Sequence, residues 1–173
     1  SDTVCLLLDT CLSTPTNYYT AFKMADQSIG MMEGAFFVPK ADLLNWANGL
    51  LDLNLIKIEQ LGTGAVYCQI FDTMFPGKIK ISKVNWRARN EWEFIQNFKI
   101  LQQAFEKCNI KKHIEIEKLS KSKYQDNLEF IQWFKRFFDL NGGSRQENYD
   151  PKSRRNQEVN FSFVEFRENP KKR

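Results

Sequence analysis

Between residues 41 and 140 the chain repeats one pattern: apolar side chains three and four places apart, over stretches long enough for helices. In residues 41–53, Leu43, Leu44, Trp46, Ala47, Leu50 and Leu51 follow helical spacing, and Pro39 stands where a first turn tolerates a missing N–H. Residues 54–60 read as a link holding at most a single turn. Thr63 is placed to cap a helix over 64–75, whose inward positions include Val66, Tyr67, Ile70, Phe71 and Met74. Pro76-Gly77 ends that helix. Residues 78–85 alternate Lys with Ile, but they lie between helix signals with no partner strand, so they read as a loop.

A longer helix is predicted over 86–107, with Phe94, Phe98, Leu101 and Phe105 as its buried stripe and Ile95 beside it. Residues 109–122 connect it, with room for one short turn, to the most apolar segment, 125–140. There Leu128, Phe130, Ile131, Trp133, Phe134, Phe137 and Phe138 occupy seven of eleven places, a density that marks a central helix with others packed around it. Gly142-Gly143 closes it. The pattern predicts an all-α, compact helical bundle over residues 36–141 around that buried helix. Residues 1–35 have no sustained period and read as a flexible leader. Residues 142–173 read as a polar, basic linker and tail, broken by Val159, Phe161, Phe163, Val164 and Phe166, which form either a short strand or a stretch docking on the domain.

Composition agrees with one folded domain. Of 173 residues, 42% are hydrophobic, with 15 Phe and 4 Trp, enough for a real core. No apolar run approaches the roughly 18 residues of a membrane span, and Cys5 to Leu8 is too short for a signal segment. Four cysteines without a CxxC pair read as reduced thiols of an intracellular chain. The single histidine, His113, has no Ser, Cys or Asp constellation around it, which argues against histidine-based catalysis and His-rich metal sites.

Charge is distributed unevenly. Residues 1–77 carry three basic side chains against eight acidic, whereas residues 78–173 carry 22 against 13. Lys78, Lys80, Lys83, Arg87 and Arg89 fall within twelve residues without an acid. Lys107, Lys111, Lys112, Lys118, Lys121 and Lys123 follow within seventeen, opposed only by Glu115 and Glu117. Such clusters attract an anionic partner, although charge alone does not choose among nucleic acid, acidic membrane and acidic protein.

Residues 54–77 (NLIKIEQLGTGAVYCQIFDTMFPG), 94–105 (FIQNFKILQQAF) and 123–139 (KYQDNLEFIQWFKRFFD), with Tyr149-Asp150-Pro151, resemble the N-terminal domain of the end-binding microtubule plus-end proteins, in register over roughly residues 38–152. The resemblance implies a calponin-homology fold and a non-catalytic domain that binds tubulin in the groove between protofilaments and favours growing ends. It implies no cofactor, no metal, no nucleic acid and no membrane, and a cytoplasmic, cytoskeletal location at microtubule plus ends. Position by position it marks Lys40, Lys83, Arg89, Lys99, Lys112, Lys123 and Gln125 as microtubule-binding. Two departures stand out: Ser82 precedes Lys83 where the family carries adjacent lysines, and Ala41 stands where it carries His. Family members continue into a dimerising coiled coil. No heptads follow Pro151, so the chain as given is expected to be a monomeric fragment of a protein that is dimeric at full length. Met24-Ala25 falls where family members begin, so residues 1–23 read as an upstream extension from a mispredicted start, the alternative being a genuine leader.

Other readings are weaker. Gly62-Thr63-Gly64 lacks the third glycine and the preceding strand of a dinucleotide site. Glu115 and Glu117 lie in a lysine-rich connection and read as charge partners rather than an acid–base pair. The runner-up function is a calponin-homology module for actin filaments or another acidic protein. A nucleic-acid binder needs exposed stacking aromatics, whereas most aromatics here fall on apolar helix faces.

Overall fold

The computed structural model describes residues 37–161, and within them the apolar stripes become six α-helices and no strand. They are α1 (Lys40–Leu51), α2 (Ala65–Met74), α3 (Glu91–Lys107), α4 (Ile116–Leu119), α5 (Tyr124–Leu140) and α6 (Pro151–Arg155). Single 3-10 segments cover Ile58–Thr63 and Ile81–Lys83. Residues of the leader, the start at Met24, and the apolar patch from Phe163 onward lie outside the described residues.

The enclosed helix is α2 rather than the 125–140 helix expected from apolar density, because α5 keeps one face, with Gln125, Glu129 and Asp139, in water. In α2 every residue from Ala65 to Thr73 is buried, and α5 buries Leu128, Phe130, Ile131, Trp133, Phe134, Phe137 and Phe138. Their aromatics interlock: the Tyr67 ring lies 4.7 Å from Phe130 and 5.5 Å from Phe134, and Phe105 of α3 lies 5.8 Å from Trp133. Each large ring removes apolar surface from water, at roughly 25 cal/mol per Å², and edge-to-face geometry adds to that.

The connections need another device, because a loop without a sheet leaves backbone N–H and C=O groups to satisfy. Here buried side-chain amides, which carry both a donor and an acceptor, take the place of a ladder. Asn48 accepts from Leu55 N and donates to Leu55 O. Gln132 does the same for Val38, at 3.0 and 2.5 Å. Asn97 donates to the carbonyls of Thr63 and Asn85 and accepts from Asn85 N. Asn127 donates to Leu119 O and Lys123 O and meets the Tyr67 hydroxyl.

Three other expectations change. Helix α3 begins at Glu91 rather than residue 86, since Asn90 accepts from Glu93 N while the Glu93 carboxylate accepts from Asn90 N, a reciprocal cap that fixes the start. Thr63 does help start α2, its hydroxyl accepting from Ala65 N, but Gly64 at φ 78° makes the turn. The stretch after Gly143, expected as a linker, folds back onto the bundle as far as residue 161. Buried Asp72 receives both Arg154 Nε (2.9 Å) and Nη2 (2.8 Å) and the Tyr149 hydroxyl (2.7 Å). Arg155 is itself buried, donating to Leu51 O and Gln69 Oε1. Phe161, the last described residue of the apolar patch, packs against Ala88 and Phe94.

Candidate functional site

The seven residues that the resemblance marks fall into two groups on the folded chain. Lys40, Lys112, Lys123 and Gln125 gather about the start of α5. Lys40 Nζ sits 5.7 Å from the Tyr124 ring centroid, and Lys112 Nζ lies 5.5 Å from that of Trp133. Lys112 and Gln125 line one groove of about 540 Å³ with Phe37, Glu129, Gln132 and Trp133. Partial burial lowers the Lys112 pKa, and Glu115 and Glu129 oppose that shift. The Trp133 ring is the contact that holds the ammonium in place. Gln125 donates to Glu129 Oε1 at 2.9 Å, so its amide braces the helix surface rather than capping α5.

Lys83, Arg89 and Lys99 form the second group, around the start of α3. Lys83 ends the Ile81–Lys83 segment, whose position is fixed because Asn97 holds Asn85 two residues on. Arg89 precedes the Asn90 cap, and its backbone N–H donates to Glu93 Oε2 at 2.7 Å while its side chain stays exposed. Lys99 is exposed on α3.

One turn joins the groups. Asn97 grips Thr63 O on one side, and on the other Gly62 is pressed against Ser122, immediately before Lys123. A Cβ on Gly62 would lie 2.6 Å from Ser122 Cα, so only glycine lets the two loops approach this closely. The Gly62-Thr63-Gly64 sequence thus serves as a packing joint.

The cations differ in how they are held. Lys118 pairs with Glu115, Lys135 with Asp139, Arg87 with Glu158 and Arg154 with Asp72. Among the described residues, no ion pair engages Lys83, Arg89, Lys99 or Lys123. His113 is exposed, and Cys68 and Cys108 are buried free thiols. Burial pushes the Cys68 thiol well up, the opposite of a reactive cysteine.

Apolar periodicity did not single out the exposed aromatics. Phe37, Ile56, Trp92 and Tyr124 are the exposed large hydrophobics among the described residues, and three of them border candidate cations. Phe37 lines the groove with Lys112, Tyr124 lies beneath Lys40, and Trp92 stands between Arg89 and Lys99. The signal was present in α3: Trp92 falls off the stripe of Phe94, Phe98, Leu101 and Phe105.

Comparison with known proteins matches the helical fold. A calponin homology (CH) domain family model matches residues 37–142. Microtubule-associated proteins RP/EB family members 1B and 1A of Arabidopsis thaliana are each 50% identical over 129 residues, and member 1C is 49% identical. Each alignment covers 74% of this chain but only 44%, 47% and 39% of the relative, so the chain spans less than half the length of the curated relatives it matches. A solved chain described as "Structural Basis of Microtubule Plus End Tracking by XMAP215, CLIP-170 and EB1" superposes with a TM-score of 0.62 at 44% identity, covering 68% of this chain and 98% of that one. By its helices, its matched span and these relatives, the chain belongs to the calponin homology domain family, among its RP/EB members.

Proposed function

We propose that this domain is a non-catalytic microtubule-binding module that reads the growing plus-end lattice through a basic face. One observation carries the reading: Lys83, Arg89, Lys99 and Lys123 make no ion pair among the described residues, and the joint of Gly62, Thr63 and Ser122 ties Lys123, next to Ser122, through Asn97 to the loop after Lys83. The names of the similar proteins supply the partner. A tubulin wall is acidic, and exposed charge pairs are worth only about 0.2–1 kcal/mol each, so several must engage together. They act at short range, since physiological salt screens beyond about 8 Å. Their role is to speed encounter and fix orientation, while the shape of the groove at Lys112 and Gln125 selects the site. Binding of this kind requires no turnover, in keeping with the family, and places the protein at the microtubule cytoskeleton.

Co-sedimentation with microtubules and, in parallel, with actin filaments across a salt series tests the proposal. Pelleting with microtubules that weakens as salt rises, and none with actin, is the expected result. Pelleting with actin alone overturns it in favour of the other class of calponin-homology module.

A further inference from the structure

We infer that Trp92 is an apolar anchor of the same interface, so that the domain grips its acidic partner by an aromatic contact as well as by charge. The inference rests on the microtubule-binding reading above. Trp92 is 68% exposed, whereas Trp86 and Trp133 are 1% and 3% exposed. The chain thus leaves in water a side chain of the type it buries elsewhere. Its position follows from helix geometry. Trp92 and Lys99 are seven residues apart on α3, two turns, which brings them to within about 20° of each other around the axis. Gln96 lies between them on the same stripe, and Arg89 stands three residues before Trp92.

The surroundings select an anionic occupant. Two carboxylates flank Trp92, Glu91 and Glu93, each about 100° away from it around the axis, and Glu93 is occupied in accepting from Arg89 N and Asn90 N, at 2.7 and 3.3 Å. The one acid on the stripe, Glu106, lies two turns beyond Lys99. What remains is an aromatic plate with Lys99 two turns on along its own stripe and Arg89 just ahead of the helix cap, cations that no ion pair engages among the described residues. This matches the anatomy of strong interfaces, in which Trp and Arg dominate the centre and flanking charges orient the partner. A second copy of this chain would have to bring Arg89 and Lys99 against the same cations. An acidic wall meets them with complementary charge.

Equilibrium co-sedimentation of the full chain with microtubules, at several ionic strengths, separates the contributions. Trp92→Ala is expected to weaken binding about tenfold at every salt concentration, with the salt dependence unchanged. Trp92→Phe should stay within about threefold of wild type, and Lys99→Ala should flatten the salt dependence. Thermal melting of each variant accompanies the titration, and Trp92→Gln replaces Trp92→Ala if the latter melts early. Binding by Trp92→Ala or Trp92→Gln within about twofold of wild type overturns the anchor while leaving the microtubule reading intact. Failure of wild type itself to pellet overturns that reading and the anchor with it. A dimer seen by light scattering and abolished in Trp92→Ala overturns the inference in favour of self-association.

Discussion

Gly62 and Ser122 stand in such close contact that a methyl group on the first would fall 2.1 Å from the hydroxyl of the second. Ser122 is itself held at φ 56°, where a side chain is disfavoured, and its buried hydroxyl has no hydrogen-bond partner. Two local costs are therefore accepted at the joint between the two groups of cations. Ser122→Gly is expected to remove both and to stabilise the fold by about 1 kcal/mol after the added chain entropy of glycine. Gly62→Ala should cost about 2–3 kcal/mol, because Ser122 Cα, 2.6 Å away, is backbone that must move. Combining the two should recover only part of that loss. Urea denaturation of the two single variants and the double variant measures all three values, and full recovery in the double variant contradicts a backbone clash.

How much was legible beforehand follows from what is local. Helices α1, α2 and α5 were visible because their burial repeats along the chain at helical spacing. The start of α3 was not, because Trp86 and Ala88 are apolar for another reason. Trp86 N donates to Gln157 Oε1 and the Arg155 guanidinium lies 5.4 Å from its ring, partners about 70 residues away. The docked segment after Gly143 was hidden the same way: Arg154 looks like a solvent residue until Asp72, set inside an apolar stripe, is found to be its partner, and Arg155 until it is found donating to Leu51 O and Gln69 Oε1. At the candidate site, the residues put forward rest on resemblance, and which of their cations stand without ion pairs among the described residues, and that Trp92 faces water, required the fold.

The Asp72–Arg154 pair gives the docked segment a measurable worth. Asp72 is 0% exposed, and removing its partner strands a buried carboxylate. Arg154→Ala is expected to destabilise by about 3 kcal/mol. Arg154→Lys restores charge but not the two-pronged geometry and should recover less than half. Limited proteolysis provides the structural readout: cleavage after residue 142 should accelerate in Arg154→Ala, and an unchanged rate would show that the segment is held elsewhere.

Alkali should loosen the same region. Burial, then the hydrogen bond to Asp72, raises the Tyr149 pKa above its ordinary 10.0, and burial in the core raises that of Tyr67 well above it too. Both phenols are thus kept protonated in the fold. The unfolded chain gives up those protons once pH passes 10.0, so the stability the two phenols contribute is complete below that pH and falls as pH climbs toward the folded values, after the buried Cys68 thiol has begun the decline from its ordinary 9.0. Denaturation midpoints measured from pH 8 to pH 11 should show the decline. Tyr149→Phe should lessen its slope without removing it, since Tyr67 remains.

Trp133 ties the core to the groove. Its ring stacks on Phe130 at 6.0 Å and on Phe137 at 4.9 Å, while Lys112 lies across it. Trp133→Ala is expected to cost about 3–5 kcal/mol through the cavity it leaves. Lys112→Ala should cost about 1 kcal/mol or less, as an exposed-edge cation over an aromatic ring. Thermal and urea melts compare them, and similar losses in the two variants would mean that the ring acts mainly as a platform for the cation.

Charge reversal at Lys83 or Arg89 separates binding from folding. Neither side chain makes an ion pair among the described residues, so Lys83→Glu and Arg89→Glu should each leave stability within about 0.5 kcal/mol of wild type. Against an acidic lattice each reversal replaces an attraction with a repulsion, so pelleting should weaken most at low salt and the variants should converge on wild type as salt rises. Loops pinned by Asn97 on one side and Gly62 on the other present these groups with little freedom, so the two reversals should combine additively, within about 0.5 kcal/mol, in the double variant. Co-sedimentation at three ionic strengths reads this directly. Unaltered pelleting by both reversals would move the binding face away from the start of α3 and leave the groove at Lys112 and Gln125 to account for it alone.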